Sequence, residues 1–182
     1  MKTIDEFAKE LSHKLHANQK RNDGVTPYTV HTDYVSANCV KYFTGQEPLT
    51  EKVIRILKSI GDSHDILEDV DITESELLDV GKEYGQDWEV VVHCVRLLSR
   101  FSKSDSIIDY LSAIKNCPAT RAVKLADLEH NLSDLKPGNL RDKYLLCRHF
   151  LIGYEVESFD EPPLMTCVDN TSRDYIGVSD LK

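Results

Sequence analysis

No apolar run in this sequence approaches the roughly 20 residues needed to cross a bilayer. The opening residues, Met1-Lys2-Thr3-Ile4-Asp5-Glu6, lack the form of a secretory signal. The five cysteines, Cys39, Cys94, Cys117, Cys147 and Cys167, include no C-x-x-C pair, which argues against a disulfide framework and a zinc knuckle. Scattered through apolar helical patterns, they read as reduced, buried thiols of a cytoplasmic protein. There is no Gly-rich phosphate loop, no βαβ alternation and no internal repeat. Positive charge is in deficit. A net charge of −9 disfavours a nucleic-acid partner, because phosphate attraction needs basic surface. It leaves open a small anionic substrate, since a bound divalent metal and a few cations can hold phosphates in an acidic protein. With 182 residues, 41% of them hydrophobic, the chain has room for one domain with a sizeable core and little room for a second.

What is present is helical periodicity. Thr3-Ile4-Asp5-Glu6 has capping-box form, and Ile4, Phe7, Ala8, Leu11 and Leu15 continue it as an apolar stripe. Asn22-Asp23-Gly24 reads as a turn, Thr26-Pro27-Tyr28 as extended chain, and His31 falls near the start of a second helix. A third helix is expected from Thr50 to Asp69. Thr73-Glu74-Ser75-Glu76 is another capping box, and Asp87 is placed to cap the helix containing Val91, Cys94 and Leu98. A helix is expected from Ser104 to Asn116, and Pro118 opens the next, which stops at Lys136-Pro137-Gly138. The last runs from Leu140 to about Glu157. The fold class is all-α, a helical domain over 1–159 followed by a tail over 160–182.

The chemistry concentrates in Gly61-Asp62-Ser63-His64-Asp65-Ile66-Leu67-Glu68-Asp69. On one continuous helix, positions three and four apart share a face, so His64, Asp65, Glu68 and Asp69 project into one sector. A solvated acidic helix end would read the same, so the partners decide. Asp127 lies between Ala126 and Leu128 in an apolar helix, where a carboxylate is costly unless paired or metal-bound. A salt bridge to Arg121 or Lys124 is the simplest explanation for Asp127 taken alone. Asn131 shares its face. With His31, two imidazoles and two carboxylates form a mixed nitrogen and oxygen set suited to manganese, iron, cobalt or zinc. His13, His16, His93, His130 and His149 are expected outside it, His130 on another side of its helix. Lys103 and Lys124 are weaker candidates for phosphate contact.

His31, His64-Asp65 and Asp127, in that order on an all-α scaffold, resemble the HD phosphohydrolase superfamily. Gln19-Lys20-Arg21 through Pro27-Tyr28-Thr29-Val30-His31, His64 to Thr73 and Val123 to Leu132 resemble the hydrolase domain of Rel/Spo-type enzymes and small alarmone hydrolases. The resemblance implies an HD-domain bundle and a manganese-dependent enzyme of the cytoplasm. Its substrate would be guanosine tetra- or pentaphosphate, (p)ppGpp, losing pyrophosphate from the 3′ position. It implies His31, His64, Asp65 and Asp127 as metal ligands. Glu68 and Asp69 would activate water, Asn131 would meet the ribose, and Arg21 would lie against the purine. The chain departs from the family's usual pattern at Asn22, Thr32, Gly61-Asp62-Ser63 and Leu128-Glu129, which bear on substrate identity. Two alternatives stand beside this reading: phosphohydrolysis of another nucleotide, such as a nucleotidase or NADPH phosphatase, and a catalytically silent nucleotide binder.

Overall fold

The computed structural model describes residues 2–100, 102 and 106–153, and every regular element among them is helical. Helix α1 is Ile4–Leu15, opened by the expected Thr3/Glu6 capping box. Helix α2 is Thr29–Asn38, followed by a 3-10 turn at Cys39–Tyr42. Helix α3 spans Glu51–Ser63, and Thr50 caps it by accepting from the Val53 amide. Then come α4 (Ile66–Asp69), α5 (Glu74–Val80), α6 (Gln86–Leu98) and α7 (Ile107–Lys115). Helices α8 (Pro118–Asp134) and α9 (Asn139–Ile152) complete the described chain.

Three boundary expectations are corrected. The helix expected from Thr50 to Asp69 breaks into α3 and α4 at His64-Asp65, where the chain turns. Ile66 and Leu67 are both buried beyond the turn, so the apolar pattern hides the break. Asp87 sits inside α6, whose N-cap is Gly85 at φ 55, a backbone conformation that glycine adopts without Cβ strain. Helix α7 starts after Ser106, which caps it through the Asp109 amide; positions 103–105, with Lys103, lie outside the described residues. The expected last turn at 154–157, the tail over 160–182 and Cys167 lie outside them as well.

Helix α3 is the hub, packing against α1, α2, α6 and α8. Its Val53, Ile56, Leu57 and Ile60 follow helical spacing into a core shared with Trp88, Val91, Val95 and Leu98 of α6. Trp88 keeps its indole N–H satisfied on the Leu77 carbonyl at 2.7 Å, which locks α5 to α6. Small residues on α8, Ala119, Ala122 and Ala126, are buried and let it approach α2 and α3 closely. The approach of α2 to α3 is tighter: a Cβ on Gly61 would stand 2.7 Å from Ser36 Cα. Cys39, Cys94, Cys117 and Cys147 are buried thiols joined by no disulfide, and no helix among the described residues is long and apolar enough to cross a membrane.

One buried group makes the fold sensitive to pH. Asp62 is 2% exposed, and burial pushes its carboxyl up to about 7. The neighbouring Asp33 also raises it, while the Ser36 hydroxyl, Lys9 and His13 oppose. With the folded value above the unfolded 3.8, the folded state binds the extra proton between about pH 4 and 7. Stability is therefore full below pH 4 on this account and falls as pH rises through 7, by at most about 4 kcal/mol. Asp62→Asn should flatten that part of the profile in urea melts at pH 5 and pH 8. A wild-type slope unchanged in the variant would contradict it.

Candidate metal centre

Helices α2, α3 and α8 each deliver one side chain to a common point. His31 lies in the first turns of α2, His64 caps the end of α3, and Asp127 sits in the middle of α8. Their ligand atoms all lie within 4.8 Å of one another, and all three residues are buried. His31 Nε2 is 3.2 Å from His64 Nε2 and 3.2 Å from Asp127 Oδ1, and His64 Nε2 is 3.9 Å from Asp127 Oδ1. Metal bonds of about 2.1 Å place adjacent ligand atoms roughly 3.0 to 3.4 Å apart, from octahedral to tetrahedral arrangement. Two of the observed spacings, both 3.2 Å, fall inside that range, and the third, 3.9 Å, lies above it. The donor set fits a divalent transition ion.

The hydrogen bonds behind the ligands fix which atoms face inward. His64 Nδ1 lies 2.8 Å from the Gly61 carbonyl. A carbonyl only accepts, so Nδ1 carries a proton and Nε2 is the ring nitrogen that faces the centre. Burial works to lower the His64 pKa, but the charges of Asp65 and Asp127 prevail and raise it to about 9. The centre thus favours a cation of any kind. Asp127 divides its carboxylate between two tasks. Oδ2 holds Lys124 Nζ at 2.8 Å, while Oδ1 faces the histidines and accepts from Asn131 Nδ2 at 2.5 Å. Burial alone would raise this carboxyl, yet Lys124 and His31 hold it well below the usual range. The salt bridge to Lys124 thus occupies Oδ2 and leaves Oδ1 as the oxygen that faces the two histidines.

Asp65, expected as a fourth ligand, stands beside the three-residue set. Its Oδ2 is 2.8 Å from His64 Nε2 and 3.5 Å from His31 Nε2, and it accepts from the Tyr28 hydroxyl at 2.5 Å. Burial works to raise it, and the two imidazoles hold it well below the ordinary range. Glu68 and Asp69, on the single turn of α4, are exposed at the rim. Glu68 accepts from the Arg100 amide, and burial of its carboxyl raises its pKa. Asp69 is raised by burial and by Asp65, with Tyr28 opposing. Arg21 is 8% exposed, and its guanidinium donates to Asp134 at 2.7 Å and Asn131 at 3.3 Å. It buttresses the Asn131–Asp127 contact instead of standing free for stacking.

Two site residues escaped the sequence reading. His130, expected on another side of its helix, lies with Nδ1 2.7 Å from His31 Nδ1 and stacks on both His31 and Tyr34. Burial and His31 push its pKa down to about 4, so it is neutral at pH 7 and can accept the His31 Nδ1 proton. The signal was present in the spacing: His130 is three residues after Asp127 and shares its face. Tyr28 stands three before His31 and is steered by its amide bond to the Gln19 carbonyl and by the Lys20–Pro27 bridge. Gln19 in turn donates to the Asp69 carbonyl at 2.8 Å, tying that loop to α4. Among the expected outsiders, His13 pairs with Asp33 and His16 packs on Tyr28.

Outer partners of metal-bound histidines typically contribute ten- to a hundredfold in affinity. His130→Phe keeps the stacking ring and removes the acceptor, so it should weaken Mn2+ binding by about that factor in a calorimetric titration. Affinity equal to wild type would show that His130 only packs. No protein-family model matches this chain, and no curated protein matches it.

Proposed function

We propose that this chain is a metal-dependent phosphohydrolase that removes pyrophosphate from the 3′ position of guanosine tetra- or pentaphosphate. The observation that carries the metal-dependent reading is the convergence of two imidazole nitrogens and one carboxylate oxygen at 3.2 to 3.9 Å. The resemblance of the flanking segments to Rel/Spo-type hydrolase domains supplies the substrate class. A divalent cation held by His31, His64 and Asp127, most simply Mn2+ with Asp65 alongside, supplies Lewis acidity toward phosphate and water.

The chain's own groups supply the rest. Glu68 and Asp69, raised above ordinary carboxyls and exposed at the rim, are better proton acceptors than surface carboxylates and can take the proton of an attacking water. The P–O bond to the 3′ oxygen breaks, and that oxygen takes up a proton as it leaves. Tyr28 holds Asp65 from outside. Asn131 spends one N–H on Asp127, which leaves its other N–H to donate to a ribose oxygen on this reading.

One observation favours a second reading, phosphohydrolysis of another nucleotide. Arg21, which would lie against the purine, is instead engaged by Asp134 and Asn131. The deciding experiment incubates the protein with guanosine tetraphosphate and Mn2+ and follows pyrophosphate and GDP, with NADPH and common nucleotides as parallel substrates. Release of both products by the wild type and none by Asp127→Ala supports the alarmone reading. Turnover of NADPH or another nucleotide alone moves the protein to the second reading, and no turnover with Mn2+ bound overturns both.

A further inference from the structure

Helix α9 is apolar on two sides. Its inner side, with Tyr144, Cys147 and Leu151, packs on the core beside α7 and α8. On its outer side Leu145, Leu146, His149 and Ile152 recur at three- and four-residue spacing and form one stripe. Leu146 is 71% exposed, and the other three are exposed beside it. Apolar side chains grouped in this way and left in water mark a contact surface. At about 100° per residue, Arg141 and Arg148 border the stripe on one edge and Lys143 on the other. Among the described residues, no carboxylate pairs with these three cations, whereas Lys9, Lys41 and Lys52 each have one.

The sequence that follows α9 complements this stripe. Beyond Gly153, its C-cap, the chain continues for 29 residues, of which seven are acidic and two, Arg173 and Lys182, basic. They carry a net −5 of the chain's −9, whereas α9 sets three cations against Asp142 alone. The acids concentrate next to the helix. Glu155, Glu157, Asp160 and Glu161 alternate with Val156 and Phe159, and Leu164 and Met165 follow. Leu145 to Ile152 covers about 10 Å of helix, while the residues 154–168 can extend to about 50 Å, so a reversal and a return both fit. Attachment at Gly153 gives this segment a local concentration on the order of millimolar, well above that of a second copy in dilute solution. A symmetric pairing of two α9 stripes is disfavoured for another reason. An isologous contact presents the same patch twice, which here brings like charges together.

We propose that residues 154–168 fold back onto the outer stripe of α9, with Phe159 and Leu164 covering its leucines and the four acids meeting Arg141, Lys143 and Arg148. The test uses the full-length protein at low micromolar concentration, as an equal mixture of unlabelled and 15N-labelled chains. A water-soluble carbodiimide joins amines to carboxylates in direct contact. Mass spectrometry then locates the links to Lys143 and separates those within a chain from those between chains. A link within the chain from Lys143 to Glu155, Glu157, Asp160 or Glu161 is expected. Its yield should fall by about fivefold or more in Leu146→Asp/Ile152→Asp, where the tether is intact but the apolar stripe is not. Equal yield in that variant, with its fold verified by circular dichroism, would reveal chance encounter of a tethered chain and overturn the proposal. Phe159→Ser/Leu164→Ser makes its changes beyond Gly153 and should lower the yield as much, so the proposal stays refutable should the α9 variant misfold. No link within the wild-type chain overturns it. Links between chains alone overturn it too and give the stripe to a second copy.

Discussion

Asp127→Ala is expected to lose metal binding by more than a hundredfold and to lose stability at the same time. The first loss follows from removing one of three converging ligands; even partners one layer out contribute ten- to a hundredfold. The second comes from Lys124. Its ammonium sits 2.8 Å from Asp127 Oδ2 with its side chain 19% exposed, and burial is offset chiefly by that carboxylate. Removing one partner of a buried pair leaves an uncompensated charge and typically costs about 3–5 kcal/mol. The two effects separate in the double variant Asp127→Ala/Lys124→Met, which should recover most of the stability and none of the metal affinity. Urea melts and a Mn2+ titration on both proteins are sufficient. Metal affinity retained in Asp127→Ala would remove the centre as described, and a double variant as unstable as the single one would remove Lys124 from the account.

Gly61→Ala should be destabilising where helix propensity alone says the reverse. In an exposed helix interior, replacing glycine by alanine gains about 1 kcal/mol. Here the added Cβ would meet Ser36 Cα at 2.7 Å and Ser36 N at 3.0 Å. Both are backbone atoms of α2, so no side chain can rotate away, and α2 must shift from α3. Overpacking of this kind costs about 1–3 kcal/mol, which exceeds the propensity gain. His31 rides on α2 and His64 ends α3, so the shift should also widen the 3.2 Å between their Nε2 atoms and weaken Mn2+ binding. A Gly61→Ala protein as stable as wild type, with unchanged metal affinity, would show that the two helices part without consequence.

The parts of the centre that could be read from sequence are those whose residue types are expensive without a reason. Asp127 between Ala126 and Leu128 is such a case, and the structure gives it Lys124, Asn131 and the two histidines as reasons. Helices α1, α5 and α8 were legible because caps, apolar spacing and Pro118 agreed. The turn at His64-Asp65 was not, because Ile66 and Leu67 keep the apolar rhythm of α3 while the backbone departs from it. That turn matters, since it sends Glu68 toward the Arg100 amide and leaves Asp65 beside the three ligands. The burial of Asp62 and the engagement of Arg21 by Asp134 depend on helix approach and on contacts 113 positions apart, which no local pattern carries.

The origin of the three ligands on α2, α3 and α8 has a kinetic consequence. His31 and Asp127 lie on helices whose docking closes a loop of about two thirds of the described chain, so no early, local piece of structure contains the centre. A cation recognising that centre finds its ligands together after the long-range docking, beyond the rate-limiting barrier. Saturating Mn2+ should then leave the refolding arm of a chevron unmoved and slow the unfolding arm in proportion to metal concentration over its dissociation constant. Such an ion acts as a latch on the finished fold, and a chelator shortens the lifetime of the native protein without changing how fast it is made.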